Sequence, residues 1–149
     1  MNLKRRHLTA LLALALLAAP AAALFIDVEF FGGADIAGFR SWSWSKEGNP
    51  AANVQVEGAV RAEVERQMRG RGYERVAGAA DCYVEINVEK DRFVDSGIFS
   101  VDVLAGATRE VIWRGKAEGS IGTQVVNKQQ KIASRAVKKM FKQFPKRRK

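Results

Sequence analysis

Two residue types that carry much of enzyme chemistry are almost missing from this chain: its 149 residues include one histidine, His7, and one cysteine, Cys82. His7 falls in a leading segment that reads as cleavable, so the remainder holds no histidine. That excludes Ser-His-Asp and Cys-His nucleophile pairs, a histidine general base, a CxxC redox pair and a zinc site of Cys/His type within one chain. Carboxylate, lysine or tyrosine chemistry is what remains. Tyr83, Glu85, Asn87 and Glu89 alternate onto one side of a strand-like run, and Asp27 with Glu29 does the same. Such rows could form a paired-acid site or a cation site if they met across a sheet. Any strand with one wet face also produces them, so the expectation is no enzyme, no cofactor and no metal, with Glu85 and Glu89 as the best-placed carboxylates. Cys82 shares the opposite side of that run with Val84, Ile86 and Val88, the position of a buried small hydrophobe.

Charge offers a second chemistry. From Gly119 to the end there are ten Lys or Arg and no acid, whereas residues 24–118 hold twelve basic and sixteen acidic side chains, so a body of −4 carries a tail of +10. At about 100° per residue, Lys128, Lys131, Arg135, Lys138 and Lys142 fall within an arc of about 80° on a helix, away from its apolar side. A helix C-terminus favours cations in its last turn, which accounts for Lys138 and Lys142 but not for Lys128 and Lys131. Like charges at these spacings cost about 0.2 to 0.5 kcal/mol per pair, so the stripe is either a solvated face or an anion-binding one. Outside the cytoplasm the matching partners are anionic lipid, lipopolysaccharide or cell-wall polymer, or an envelope protein. Nucleic acid would require that the chain is not exported, and a basic nucleic-acid or polyanion binder is the alternative reading.

The leading segment sets the address. Lys4, Arg5 and Arg6 precede an apolar run from Leu8 to Ala19, and Pro20-Ala21-Ala22-Ala23 supplies the small residues of a signal-peptidase site. Residues 1–23 therefore read as a signal peptide cleaved after Ala23, and the protein as periplasmic or secreted; the alternative is an uncleaved anchor, since the apolar stretch from Leu8 to Ile26 is just long enough to span a bilayer. No cysteine stands at the cleavage point to accept lipid. The whole chain is 47% apolar, 28% charged and 9% aromatic, an ordinary globular mixture. Beyond the leader it is long enough for one domain, 24–145, with a basic tail at 146–149.

Within the domain, alternation marks strands over Phe25–Phe31, Phe39–Ser45, the run opened by Cys82, Ile98–Leu104 and Glu110–Ala117, the last two joined as a hairpin. A helix starting near Asn49-Pro50 places Val56, Val60, Val64 and Met68 on its core side, with Glu57–Arg61 and Glu65–Arg69 paired on the wet side. A second, over Val125–Phe144, carries Ile132, Ala136, Val137, Met140 and Phe144 on its apolar stripe, and Pro145 ends it. The order ββαβββα predicts an α+β domain: an antiparallel sheet of about five strands with both helices on one face, burying Trp42, Trp44 and Trp113.

Several stretches, taken in order, resemble the domain of unknown function 4136 family. They are Asp35 with Phe39-Arg40-Ser41-Trp42-Ser43-Trp44, then Gly72-Tyr73-Glu74-Arg75-Val76, Asp81-Cys82-Tyr83-Val84, Val111-Ile112-Trp113-Arg114-Gly115-Lys116-Ala117, and Phe141-Lys142-Gln143-Phe144-Pro145. The resemblance implies a small bacterial envelope protein with an α+β domain, and carries over no activity or catalytic residue. Members are often lipoproteins, and this chain departs from them in lacking the lipid-accepting cysteine. Its segment from Asp91 to Gly97 is also short where relatives often carry a Tyr/Gly-rich insertion.

Expressed with its leader in a bacterium, the protein is expected to accumulate outside the cytoplasm with Leu24 as its first residue and no lipid attached. Mass measurement of the intact protein checks this, and a retained Met1 would refute it.

Overall fold

The computed structural model describes residues 24–48, 54–90, 97–119 and 126–149. The leader, the helix start at Asn49-Pro50, residues 91–96 and Val125 lie outside the described residues.

Alternation becomes strand and four-residue periodicity becomes helix, in the order β1 (Phe25–Phe30), β2 (Ser41–Trp44), α1 (Val54–Gly70), β3 (Glu74–Arg75), β4 (Cys82–Lys90), β5 (Gly97–Ala105), β6 (Val111–Gly119) and α2 (Val126–Met140). Short 3-10 turns sit at Ile36–Gly38 and Phe141–Gln143. The sheet has six strands in the order β1-β6-β5-β4-β2-β3, and it is mixed, which corrects the antiparallel five-strand expectation. Consecutive β4, β5 and β6 are antiparallel neighbours, but β2 runs parallel to both β3 and β4. The physical reason is α1. A chain that leaves β2, crosses over the sheet as a helix and re-enters beside its starting strand returns in the same direction. Two-residue β3 is too short to show any periodicity.

The helix-facing side of the sheet is apolar. Trp42, Val84, Val101, Val103, Trp113 and Ala117 are all buried there against Val60, Val64 and Met68 of α1 and Ala133, Ala136, Val137 and Met140 of α2. The helices lie side by side and run the same way, since Gln130 bonds the Gln55 carbonyl at their starts and Arg71 bonds the Phe141 and Phe144 carbonyls at their ends. Trp44 departs from the expectation of full burial. It is half-buried beside α1, edge-on to Trp42 with ring centres 5.3 Å apart, under the Arg61 guanidinium and donating Nε1–H to Glu65 at 3.2 Å. Glu57 and Arg61 pair at 2.7 Å as expected. Glu65 instead pairs with Arg75 of β3 at 2.7 Å, because the neighbouring sheet edge offers a cation and an indole N–H that a helical partner at i,i+4 must compete with.

Two local devices set this packing. Asp81 accepts the backbone N–H groups of Arg40 (2.8 Å) and Ser41 (3.0 Å) and the Ser41 hydroxyl, joining the start of β2 to the start of β4. Those two N–H groups hold its carboxyl below the ordinary aspartate range. Gly115 lies beneath α2, where a Cβ would come within 2.7 Å of Met140 Cβ and 2.8 Å of Trp113 Cη2, so the absent side chain is what lets the helix settle.

Gly115→Ala is therefore expected to lose about 1 to 3 kcal/mol of stability by overpacking. Gly58→Ala, on the exposed side of α1 with nothing nearby, should gain about 0.5 to 1 kcal/mol. Urea denaturation of the two variants beside the parent checks the opposite signs.

Candidate functional site

The stripe of α2 that packs on the sheet dictates what its other side does. Ala133, Ala136, Val137 and Met140 point inward, and a helix that commits these positions turns Lys128, Lys131, Arg135 and Lys138 outward. None of the four is buried, nor is Lys142 in the following turn. Among the described residues none of the five is within ion-pair distance of a carboxylate. The contrast with α1 is direct: there Arg61 pairs with Glu57 and Arg66 with Glu63, at 2.7 and 2.6 Å. One helix is charge-balanced by its own side chains, and the other presents uncompensated cations. The structure thus turns Lys128, Lys131, Arg135 and Lys138 to solvent on α2, and Lys142 is also exposed, but in a 3-10 turn, because the α-helix ends at Met140 rather than running on to Phe144.

The basic tail is held to the body of the domain. The Arg147 N–H donates to the Arg71 carbonyl at 3.0 Å and the Arg148 N–H to the Ala37 carbonyl at 2.8 Å, while the Arg148 guanidinium pairs with Asp35. Arg71 donates to the carbonyls that close α2, and burial lowers its pKa. The Tyr73 hydroxyl lies within hydrogen-bond distance of both the Ile36 and Pro145 carbonyls, and burial pushes that phenol up to about 12.

The carboxylates Glu85 and Glu89 do not meet Asp27 and Glu29, because β5 and β6 stand between β4 and β1. Across the sheet face that bears no helix among the described residues, the register instead sets acids beside the basic residues of β6. Glu85, Asp102, Arg114 and Glu29 stand in one row; Asn87, Ser100, Lys116 and Asp27 stand in the next. Asp102 is only 2% exposed, taking two 2.8 Å hydrogen bonds from Arg114 and one of 3.2 Å from Asn87. The Asp102 hydrogen bond raises the pKa of Arg114. A depression of about 280 Å³ lies across the two rows, lined by Asp102 and Arg114 of the first and Asn87, Ser100 and Lys116 of the second, with Glu89 and Ile98. Glu85 accepts the Ser45 hydroxyl at 2.8 Å. Sequence reasoning missed the Asp102–Arg114 pair, since twelve residues and a register shift at the β5–β6 hairpin separate its members. The alternation that sets Asp102 on the other side of the strand from Val101 and Val103 was the available signal.

The family model for the domain of unknown function 4136 matches residues 27–146. The chain belongs to this family. Its fold is similar to that of three solved structures. For a PelC dodecamer from Paraburkholderia phytofirmans the identity is 14% and the TM-score 0.57, covering 85% of this chain and 100% of that one. For a family member from Bacteroides thetaiotaomicron the identity is 14% and the TM-score 0.55, covering 80% and 95%. For a PDZ domain protein from Parabacteroides distasonis the identity is 12% and the TM-score 0.66, covering 86% of this chain and 37% of that one. No curated protein matches the chain.

The stretches by which the sequence resembles the family are its packing. Trp42, Tyr73, Cys82, Trp113, Phe141 and Phe144 are all buried, and the three last-named aromatics pack with ring centres 5.0 to 5.2 Å apart. Of the basic stripe, only Lys142 falls inside one of these stretches. The stretches that carry the family resemblance therefore speak for the scaffold. Among the described residues no group of three or more acidic, cysteine or histidine side chains is gathered for a metal.

Cys82 sits in the core with its Sγ 3.7 Å from the Ser41 carbonyl, and burial, with Asp81 adding to it, pushes the thiol up to about 12. A protonated, enclosed thiol is a poor nucleophile. Iodoacetamide is expected to leave Cys82 unmodified in the native protein at about pH 8 and to label it quickly in guanidinium chloride. Mass spectrometry against time reads this, and labelling at the rate of a free thiol without denaturant would refute the burial.

Proposed function

We propose that this protein is an exported, non-enzymatic binding or accessory domain of the bacterial cell envelope that contacts anionic envelope components through α2. The observation that carries the reading is the row Lys128, Lys131, Arg135, Lys138 and Lys142, solvent-facing and without carboxylate partners among the described residues, on a domain whose other helix balances its charges. The leader supports the address, as does the family whose members the sequence resembles.

Contact of this kind is peripheral. The apolar stripe of α2 is engaged with Trp113 and the sheet, so the helix cannot sink that stripe into a bilayer without unfolding the domain. Each Lys or Arg near an anionic surface contributes about 1 kcal/mol, and the sum falls as salt shortens the Debye length. Lipid phosphates, lipopolysaccharide phosphates and acidic cell-wall polymers all satisfy the same requirement of closely spaced negative charge.

Co-sedimentation with phosphatidylglycerol vesicles, and separately with lipopolysaccharide, tests the reading. Binding is expected at low ionic strength, largely gone at about 0.5 M salt, and absent with phosphatidylcholine. Reversing Lys128, Lys131, Arg135 and Lys138 together to Glu should abolish it while circular dichroism stays unchanged. Binding that survives the reversal, or that is absent at low salt, would leave α2 a solvated face. Retention in the cytoplasm with tight binding to duplex DNA would favour the nucleic-acid reading instead.

A further inference from the structure

The two edges of the sheet are built differently. At one, β3 is two residues long, too short to template another strand. At the other, β1 runs for six residues, Phe-Ile-Asp-Val-Glu-Phe, and among the described residues no strand pairs with its outer side. Phe31 N–H donates to the Ile112 carbonyl at 2.9 Å, which fixes the phase of the β1–β6 ladder. In an antiparallel pair alternate residues bond inward, so the N–H and C=O groups of Ile26, Val28 and Phe30 turn away from β6. The outward Val28 N–H is taken by the side chain of Asp27 at 3.0 Å. Phe25 and Phe30, at the two ends, are 67% and 56% exposed.

We propose that the free edge of β1 is a docking site for an extended protein segment that alternates basic and apolar residues, added as a seventh strand. The inference is independent of the basic face of α2. Charge selects the occupant. Asp27 and Glu29 lie on the helix-free side, opposite Lys116 and Arg114 of β6, so the same two carboxylates face empty space on the outer side of the strand. A second copy of β1 fits badly. In any antiparallel register that keeps four or more pairs, its Asp27 and Glu29 fall directly or diagonally against those of the first copy, and like charges across strands are destabilising. A segment with Lys or Arg at alternate positions meets the two carboxylates as β6 does. Its intervening apolar side chains then lie beside Ile26, Val28 and Phe30. Docking also frees the outward donor: the partner's cation draws the Asp27 carboxylate off the Val28 N–H, and the partner's carbonyl replaces it. The chain's own basic tail is not the occupant, because Arg147 and Arg148 are bonded to Arg71, Ala37 and Asp35.

The test is fluorescence anisotropy of a labelled ten-residue peptide of alternating lysine and valine titrated with the mature chain. A block-ordered peptide of the same composition and an alternating glutamate and valine peptide serve as comparisons. From Leu24 onward the chain is +6 overall, which repels a basic peptide and suppresses nonspecific binding. Saturable binding is expected for the alternating basic peptide alone. Val28→Pro removes the outward N–H without touching a β1–β6 bond and should weaken binding about tenfold or more. Asp27→Lys with Glu29→Lys should reverse the preference toward the glutamate peptide, which decides the matter even if the proline variant does not fold. Equal binding of the block-ordered peptide, or no reversal in the charge-swapped variant, would overturn the proposal. So would a dimer of the parent chain in analytical ultracentrifugation that Val28→Pro dissolves, since the edge would then be taken by a second copy.

Discussion

At Gly115 the sheet offers no side chain, and Met140 fills the space. This contact places the end of α2 directly on β6, where Trp113, Phe141 and Phe144 close around it. The surroundings are set by it. With its inward stripe fixed, α2 has one rotation about its axis, and its outer lysines face water. The chain beyond it must leave at that point, which brings Pro145, Arg147 and Arg148 within reach of Tyr73, Arg71 and Ala37. Because α2 lies over β6 and β1, and α1 over the β2–β3 side, the two helices divide one face of the sheet and leave the other to its own side chains.

What is legible in the amino-acid sequence is what is local. Period-two runs gave the long strands, and period-four runs gave both helices and their buried sides, because the hydrophobic effect acts on each segment separately before any pairing is chosen. The burial of Cys82 and Trp113 and the outward direction of the α2 cations came from that periodicity. Pairing is not local. Nothing in Ser41–Trp44 states that it will lie parallel to Cys82–Lys90; that depends on α1 carrying the chain back to the same end. The Glu65 partner was missed for a related reason. Spacing within a helix names Arg69, but the choice was made by Arg75 and Trp44, which arrive from the sheet. Asp102 with Arg114 likewise needs the register of a hairpin to be known.

Charge is sorted by surface as well as by sequence. The helix-free face pairs its charges across strands, and its central carboxylate, Asp102, is buried only because Arg114 and Asn87 satisfy it. Replacing such a pair by apolar residues is often harmless to stability, whereas deleting one partner is not. The +10 carried from Gly119 onward is thus not spread over the domain. Asp35 takes up one of its cations through Arg148, and α2 with the turn after it displays the five of the stripe.

These placements make the two proposed contacts compatible. The basic side of α2 faces away from the sheet plane, while the free edge of β1 lies in that plane. A domain resting on an anionic surface through α2 would hold its sheet roughly parallel to that surface, with the edge of β1 directed along it. The acidic side chains Asp27 and Glu29 then sit on the far side of the sheet from the surface, where they would not oppose binding at close range. β6 supports both α2 and β1, and Gly115 is the position where that support has no slack.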